Sequence, residues 1–364
     1  MTLDDARHMA HALSLGRRGM GRTWPNPAVG CVIVKDGRVV GRGHTAPGGR
    51  PHAEPQALAQ AGDAARGATA YVTLEPCSHH GQTPPCTDAL IAAGVARVVA
   101  AVEDSDPRVS GAGFKALRDA GIAVDLGVFA AEAAQDHAGF FLRQAEDRPW
   151  VTLKLASSFD GRIATATGES RWITGPEARR LVHGQRARHD AVMVGAGTAR
   201  IDDPSLTVRD FGAVAQPVRV VVSRLIDLPL MSQLARTARE VPVWICHGPD
   251  AAPETRQAWD GLGARLFPCA LSGRQVSARA VLQALGAAGL TRVFCEGGGT
   301  LAATLLLAGL VDELVGFTAG VALGAEGQPS LGAMGLDRLR DAPRFRLAET
   351  RAAGADVMHR WLRV

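Results

Sequence analysis

Two short stretches decide the fold of the first third of the chain: His52-Ala53-Glu54 and Pro76-Cys77-Ser78-His79-His80-Gly81-Gln82-Thr83-Pro84-Pro85-Cys86. The first opens a segment patterned as a helix. Cys77 follows a strand-like run, and Cys86 stands at another helix start. One imidazole and two thiolates form a three-ligand set for Zn²⁺ that leaves the fourth position to water. Helix N-termini favour the thiolate form of such ligands. Bound Zn²⁺ lowers the pKa of water to about 7. Glu54 is two residues from His52 and is not itself a ligand, so it is free to carry a proton from that water to a leaving group. A closed structural site would need a fourth protein ligand, and His79 or His80 offers one. That alternative leaves Glu54 without a role.

The flanking elements fit an α/β layered domain. Residues 3–19 are predicted as a helix, with Thr2 and Asp5 as its capping box. Residues 29–34 and 38–43 are apolar runs joined by Asp36-Gly37, a strong hairpin signal. Helices are expected over 52–65, 87–93, 113–120 and 130–144, and strands over 70–74, 95–102 and 122–127. His8, His11 and His137 are expected on helix surfaces. The polar stretch Glu146-Asp147-Arg148-Pro149 marks a domain boundary, giving domains 1–147 and 148–364.

The whole-chain arithmetic agrees with two domains. The 364 residues carry 46% hydrophobic and 21% charged side chains, a globular composition. The longest apolar stretch in the C-terminal half, residues 301–311, is too short for a membrane span, which needs roughly 20 residues. The N-terminus lacks the apolar region of a secretory signal, so a cytoplasmic location is expected. Of 40 basic residues only Lys35, Lys115 and Lys154 are lysines, so a single arginine carries little information here. The basic residues are scattered, which argues against nucleic-acid binding. Cys31, Cys246, Cys269 and Cys295 lie in apolar runs and are expected as buried small hydrophobes.

The arrangement H-x-E with P-C…C is that of zinc nucleobase deaminases. Those enzymes usually place two residues between the cysteines, whereas this chain has eight. That expanded loop, with Thr23-Trp24-Pro25-Asn26-Pro27-Ala28-Val29-Gly30, closely resembles the bifunctional deaminase–reductases of riboflavin biosynthesis. The resemblance spans essentially the whole chain. It implies a cytidine-deaminase-like three-layer domain followed by a dihydrofolate-reductase-like domain, both α/β. The implied substrate is 2,5-diamino-6-ribosylamino-4(3H)-pyrimidinone 5′-phosphate, with one Zn²⁺ per chain held by His52, Cys77 and Cys86. Asn26, His44, His79 and Asp104 are then expected at this substrate. Gln82 departs from relatives that carry lysine there, which removes one expected phosphate contact.

In the second half, strands are predicted over 150–155, 190–194, 218–222, 241–246 and 292–295, with helices over 176–187, 277–287 and 300–307. Lys154 alternates inside an apolar strand, where a lysine needs a partner or a task. Glycines in Gly195-Ala196-Gly197-Thr198 and Glu296-Gly297-Gly298-Gly299-Thr300 let backbone N–H groups approach a phosphate. Residues 297–302 satisfy G-x-G-x-x-A. However, Gly320 stands where a Rossmann fold wants an acid, and no complete βαβ unit is expected after the cluster, so that fold is set aside. The resemblance instead implies NADPH, with hydride passing to C1′ of the ribosyl group. By motif position, Ala156, Trp172, Thr198, Asp202, Ser223, Gly298, Gly299, Thr300, Leu301, Ala302, Ala303 and Thr304 are expected at the cofactor. Lys154, Ser170, Arg186, Leu206, Arg209 and Glu296 are expected at the substrate, with the arginines on its phosphate and Lys154 and Asp202 assisting proton transfer. A small-molecule substrate is expected as the partner, with no nucleic acid and no membrane, in a homo-oligomer. Two competitors are a nucleic-acid base deaminase with an RNA-binding appendage and a deaminase whose second domain only scaffolds. The low aromatic content (5%) and the long cysteine loop disfavour the first. The surviving Lys154, Asp202-Asp203-Pro204 and triple glycine disfavour the second.

Overall fold

The computed structural model describes residues 2–81, 83–106 and 110–364. Gln82 and Pro107 lie outside the described residues. The chain divides into two compact units, the first ending at Glu146 and the second beginning at Asp147.

Unit 1 runs α1 (Leu3–Gly16), β1 (Gly30–Lys35), β2 (Arg38–His44), α2 (Ala53–Ala61), β3 (Thr69–Val72), α3 (Cys86–Ala92), β4 (Arg97–Ala100), α4 (Ala112–Asp119), β5 (Ala123–Leu126) and α5 (Ala130–Glu146). The capping box at Thr2 and Asp5 is present. Asp36 and Gly37 both take positive φ, 49° and 72°, as a type I′ hairpin turn requires. The sheet order is β2-β1-β3-β4-β5, with β3, β4 and β5 parallel. Alternation along β1 builds two cores. Cys31 and Ile33 pack with α2, α3 and α4, while Val32 and Val34 pack with α1 and α5. The result is three layers, helices on both faces of one sheet. Gly43 makes the site possible, because a Cβ there would lie 2.1 Å from the Ala53 carbonyl oxygen. With hydrogen in that place, the start of α2 rests directly on β2.

Two histidines depart from expectation. His8 and His137 are buried, not on the surface, and His137 Nε2 lies 3.2 Å from Thr73 Oγ1. Their helices are covered on the side that carries these rings, so a helical position alone did not reveal the burial. The helix expected over 52–65 ends at Ala61 and continues as a 3₁₀ turn, because Gly62 takes φ 53°.

Unit 2 begins with β6 (Trp150–Ser158), β7 (Arg162–Ala164), α6 (Pro176–Arg186), β8 (Ala191–Gly195), α7 (Ala196–Asp202), β9 (Val218–Val222), α8 (Gln233–Arg236), β10 (Val243–His247), α9 (Pro253–Gly261) and β11 (Arg265–Pro268). It continues through β12 (Leu271–Ser272), β13 (Gln275–Val276), α10 (Ala278–Ala287), β14 (Arg292–Cys295), α11 (Gly299–Leu307), β15 (Glu313–Ala319), β16 (Gln328–Pro329), β17 (Phe345–Ala353) and β18 (Asp356–Arg363). Nine strands form one sheet in the order β11-β10-β9-β8-β14-β6-β15-β18-β17. The strands are parallel from β11 to β15, and the β17–β18 hairpin adds an antiparallel edge. One expectation is corrected here. β14, α11 and β15 form a βαβ crossover over β6, because the apolar α11 buries Ala302, Ala303, Leu305 and Leu306. Gly320 still follows β15 where a Rossmann acid would stand, so the dinucleotide fingerprint remains incomplete.

Arg148, in the polar stretch at the boundary, is only 1% exposed. It makes a bidentate pair with Asp312 at 2.7 and 2.9 Å, and Asp312 also accepts from the backbone of Val151 at 2.9 Å. The stretch is therefore an anchored strand entry. Among the described residues, no helix is long and apolar enough to cross a membrane.

Candidate functional site

In unit 1, His52 is the N-cap of α2, Glu54 lies in its first turn, and Cys86 is the first residue of α3. Cys77 sits in the loop after β3. His52 Nδ1 is 3.3 Å from Cys86 Sγ and 3.7 Å from Cys77 Sγ. The three ligand atoms lie within 4.8 Å of one another, and no further residue joins the cluster among the described residues. Tetrahedral zinc, with Zn–S about 2.3 Å and Zn–N about 2.0 Å, separates its ligand atoms by roughly 3.5 to 3.8 Å. The donor set thus fits zinc and leaves one position open. His79 and His80 stand outside the cluster, so the closed alternative finds no fourth ligand among the described residues.

The local backbone supports thiolate at Cys77. The Cys86 thiol and the Cys86 backbone N–H (3.4 Å) both donate to its sulfur, and its pKa is pulled down to about 4. The backbone N–H and hydroxyl of Thr87 hold the Cys77 carbonyl at 3.2 and 3.3 Å. Glu54 is 4% exposed, and burial first, then the Cys77 charge, raises its carboxyl to about 7. A cation among the three ligands acts in the opposite direction.

Of the residues expected at the pyrimidine, Asn26 lies directly against the cluster. Asn26 donates to the Gly49 carbonyl at 2.9 Å, and its amide lies 3.4 Å from His52 Nε2. His44 ends β2, and burial followed by the charges of Arg18 and Arg22 lowers its pKa. His79 Nδ1 is buried with no hydrogen-bond partner among the described residues, which leaves it for a ligand. Asp104 is buried, and desolvation raises it to about 6. Sequence reasoning missed Glu75. Its carboxylate accepts from the backbone of Asp104 (3.2 Å), Gly111 (3.0 Å), Gly113 (2.9 Å) and Phe114 (3.2 Å), fixing the Asp104 loop onto α4. Its position just before Pro76-Cys77 was the available signal.

Unit 2 contains a cleft of about 1030 Å³. Lys154, Ala156, Ser170 and Glu296 line one end. The glycine turns before α7 and α11 line the middle with Thr198, Asp202, Gly298, Gly299, Thr300, Leu301 and Thr304, and Ser223 lies on the wall beyond. Gly195 and Gly297 meet so closely that a Cβ on Gly297 would lie 3.0 Å from the Gly195 nitrogen. Lys154 has no hydrogen bond or ion pair among the described residues, and burial lowers its pKa. Burial would raise Glu296, but Arg186 overrides it with bonds of 2.5 and 3.0 Å and holds the carboxyl below its usual range.

Other expected positions are off the cleft wall. Arg186 is committed to Glu296 and to the Thr207 carbonyl (2.7 Å). Leu206 is 2% exposed in the core, and Ala302 and Ala303 face inward from α11. The Arg209 backbone donates to His183 Nδ1 at 3.2 Å. Trp172 is 68% exposed, with the Arg179 guanidinium 4.5 Å above its ring. Conversely, Gln328 and Ser330 line the cleft from a distant segment, and Arg200, Arg224 and Arg274 line its outer end. Nothing local to those residues marks them, since arginine is common throughout the chain.

Comparisons with known proteins match both units. The cytidine and deoxycytidylate deaminase zinc-binding region matches residues 2–102, and the RibD C-terminal domain matches residues 149–359. The chain is similar to riboflavin biosynthesis protein RibD of Escherichia coli, 43% identical with 98% of each chain covered. It is likewise similar to that of Aquifex aeolicus, 38% identical with 97% of each covered. Among solved structures, Acinetobacter baumannii RibD aligns with a TM-score of 0.88 at 38% identity over 99% of each chain. A Thermotoga maritima diaminohydroxyphosphoribosylaminopyrimidine deaminase/5-amino-6-(5-phosphoribosylamino)uracil reductase aligns at 0.86 and 33% identity, again over 99% of each.

Proposed function

The chain belongs to the RibD family of riboflavin-biosynthesis proteins, and from that premise we propose that residues 1–147 deaminate 2,5-diamino-6-ribosylamino-4(3H)-pyrimidinone 5′-phosphate and residues 148–364 reduce the product's ribosyl group to ribityl. The first unit has the cytidine deaminase fold and the second the dihydrofolate-reductase-like fold. The cofactors are Zn²⁺ and NADPH.

The observation that carries the deaminase assignment is one buried carboxylate beside an imidazole and two thiols whose ligand atoms lie within 4.8 Å. When bound, zinc supplies an acidified water and NADPH supplies a hydride. Glu54 takes the proton of the attacking water and returns it to the departing amine, so that ammonia leaves. Asn26 and His79 hold the ring, and Asp104, fixed by Glu75, holds its polar edge.

Reduction adds hydride at C1′ while the bond from C1′ to the ring oxygen breaks, and that oxygen takes one proton. Lys154 is the proton donor, because it is unpaired and lines the inner end of the cleft. Glu296, aimed by Arg186, orients the sugar. Asp202 lines the same cleft, close enough to Lys154 for their charges to interact.

The test is Glu54→Gln in the full-length, zinc-loaded enzyme. Ammonia release should fall by at least about 10²-fold, within the range for loss of a general acid–base. NADPH oxidation with the deaminated intermediate should be unchanged. Loss of both activities, with zinc retained, would contradict the assignment of separate chemistries to the two units.

A further inference from the structure

The cleft in unit 2 is also lined, beyond the glycine turns, by three arginines, Arg200, Arg224 and Arg274. They differ in what already occupies them. Arg200 is paired with Asp227 at 2.5 Å. Arg224 engages Asp250 through two nitrogens. The Arg274 guanidinium has no acid and no hydrogen-bond partner among the described residues.

The backbone presents Arg274 deliberately. β12 and β13 pair Ser272 with Gln275, which leaves Gly273-Arg274 as a two-residue turn. Gly273 has φ 59° and Arg274 is not in the left-handed region, the pattern of a type II′ turn with glycine first. Arg224 Nη1 donates to the Arg274 carbonyl at 3.1 Å and anchors the turn against the cleft wall. The side chain is exposed at the tip.

The neighbouring acid is neutralised. A free carboxylate at the adenosine ribose accepts the 2′-hydroxyl of NAD, whereas an arginine accommodates the 2′-phosphate of NADP. Asp227 lies on this wall, but Arg200 takes one of its oxygens and the Ser223 hydroxyl donates to the other at 2.8 Å. An unpaired guanidinium in a cleft whose nearby carboxylate is already satisfied suits a phosphate dianion.

We propose that Arg274 holds the adenosine 2′-phosphate of NADPH and makes this reductase select NADPH over NADH. The proposal rests on the assignment of unit 2 as a nicotinamide-dinucleotide reductase. It places the nicotinamide near Lys154 and the pyrophosphate at the glycine turns, with the adenosine end toward the β12–β13 hairpin.

The test is equilibrium binding of NADP⁺, NAD⁺ and 2′,5′-ADP to the zinc-loaded full chain by calorimetry, for wild type, Arg274→Gln and Arg274→Lys. Arg274→Gln should weaken NADP⁺ and 2′,5′-ADP by about tenfold or more, the range of one charge-assisted contact, and leave NAD⁺ within about twofold. Arg274→Lys should fall between. In turnover, KM for NADPH should rise with kcat unchanged, as expected when uniform binding is lost. Equal losses for NADP⁺ and NAD⁺, or no loss for either, would overturn the role of Arg274. A wild-type chain that binds none of the three ligands would overturn the assignment of unit 2 and the proposal with it.

Discussion

Lys154 is one of three lysines in a chain of 40 basic residues, and it stands at the inner end of the reductase cleft without a partner among the described residues. A lysine left unpaired and desolvated there has its pKa lowered, by burial first. If its ammonium form protonates the ring oxygen, the reductase rate falls as pH rises through that lowered pKa. The alkaline limb should therefore begin below the ordinary lysine range of about 10.4. Lys154→Met should cut NADPH oxidation by about 10²-fold or more and abolish that limb, with NADP⁺ binding held within about twofold. A mutant that keeps its rate would exclude the proton-transfer role. Residue-level chemistry was legible where ligands cluster in local motifs, as at His52, Cys77 and Cys86. It was illegible at Arg200, Arg224 and Arg274, because arginine is scattered through the whole chain and only the fold brings these three to one cleft.

At the scale of elements, α1 is tied into unit 1 by Asp5. This carboxylate closes the capping box with Thr2, pairs with Arg97 of β4 at 2.8 Å and accepts the hydroxyl of Tyr71, the chain's single tyrosine, at 2.9 Å. The Arg97 guanidinium, working against desolvation, holds the Asp5 carboxyl well below the usual carboxylate range. The folded pKa lies below the unfolded one, so the unfolded chain binds the extra proton as pH falls. The stabilisation is complete above about pH 5 and is lost progressively below it. Protection factors for hydrogen exchange in α1, β3 and β4, taken against the intrinsic rate at each pH, should fall below that pH in the wild type. Asp5→Asn should show the lower protection already at neutral pH. Exchange unchanged in the mutant would mean that the pair contributes nothing.

Elements with strong local signals were readable. These include the type I′ hairpin at Asp36-Gly37, the Thr2 capping box and the apolar strands β9 and β14, whose observed bounds match those expected. The β17–β18 hairpin was not. β17 is an edge strand whose residues are mostly exposed, and its polar and apolar residues do not alternate in the regular way that marks a half-buried strand. The crossover through α11 was also missed. It depends on β6 lying between β14 and β15, a sheet order that no local pattern encodes.

At the scale of the molecule, two units each close their own core and each carry their own site, a metal-ligand cluster in the first and a cleft in the second. The metal-ligand cluster and Glu54 come from within residues 52–86, whereas the reductase cleft draws on segments from Lys154 to Ser330. This difference explains why the first site could be read from two short stretches and the second needed the fold. It also predicts that the chemistries separate cleanly. The most direct measurement follows ammonia and NADPH together in one reaction on the diaminopyrimidinone phosphate, before and after zinc is removed by a chelator. The zinc-loaded chain should release one ammonia for each NADPH consumed. The chelated chain should do neither, yet consume NADPH again when the deaminated intermediate is supplied. Ammonia release that survives chelation, or an intermediate that no longer restores NADPH consumption, would contradict the account.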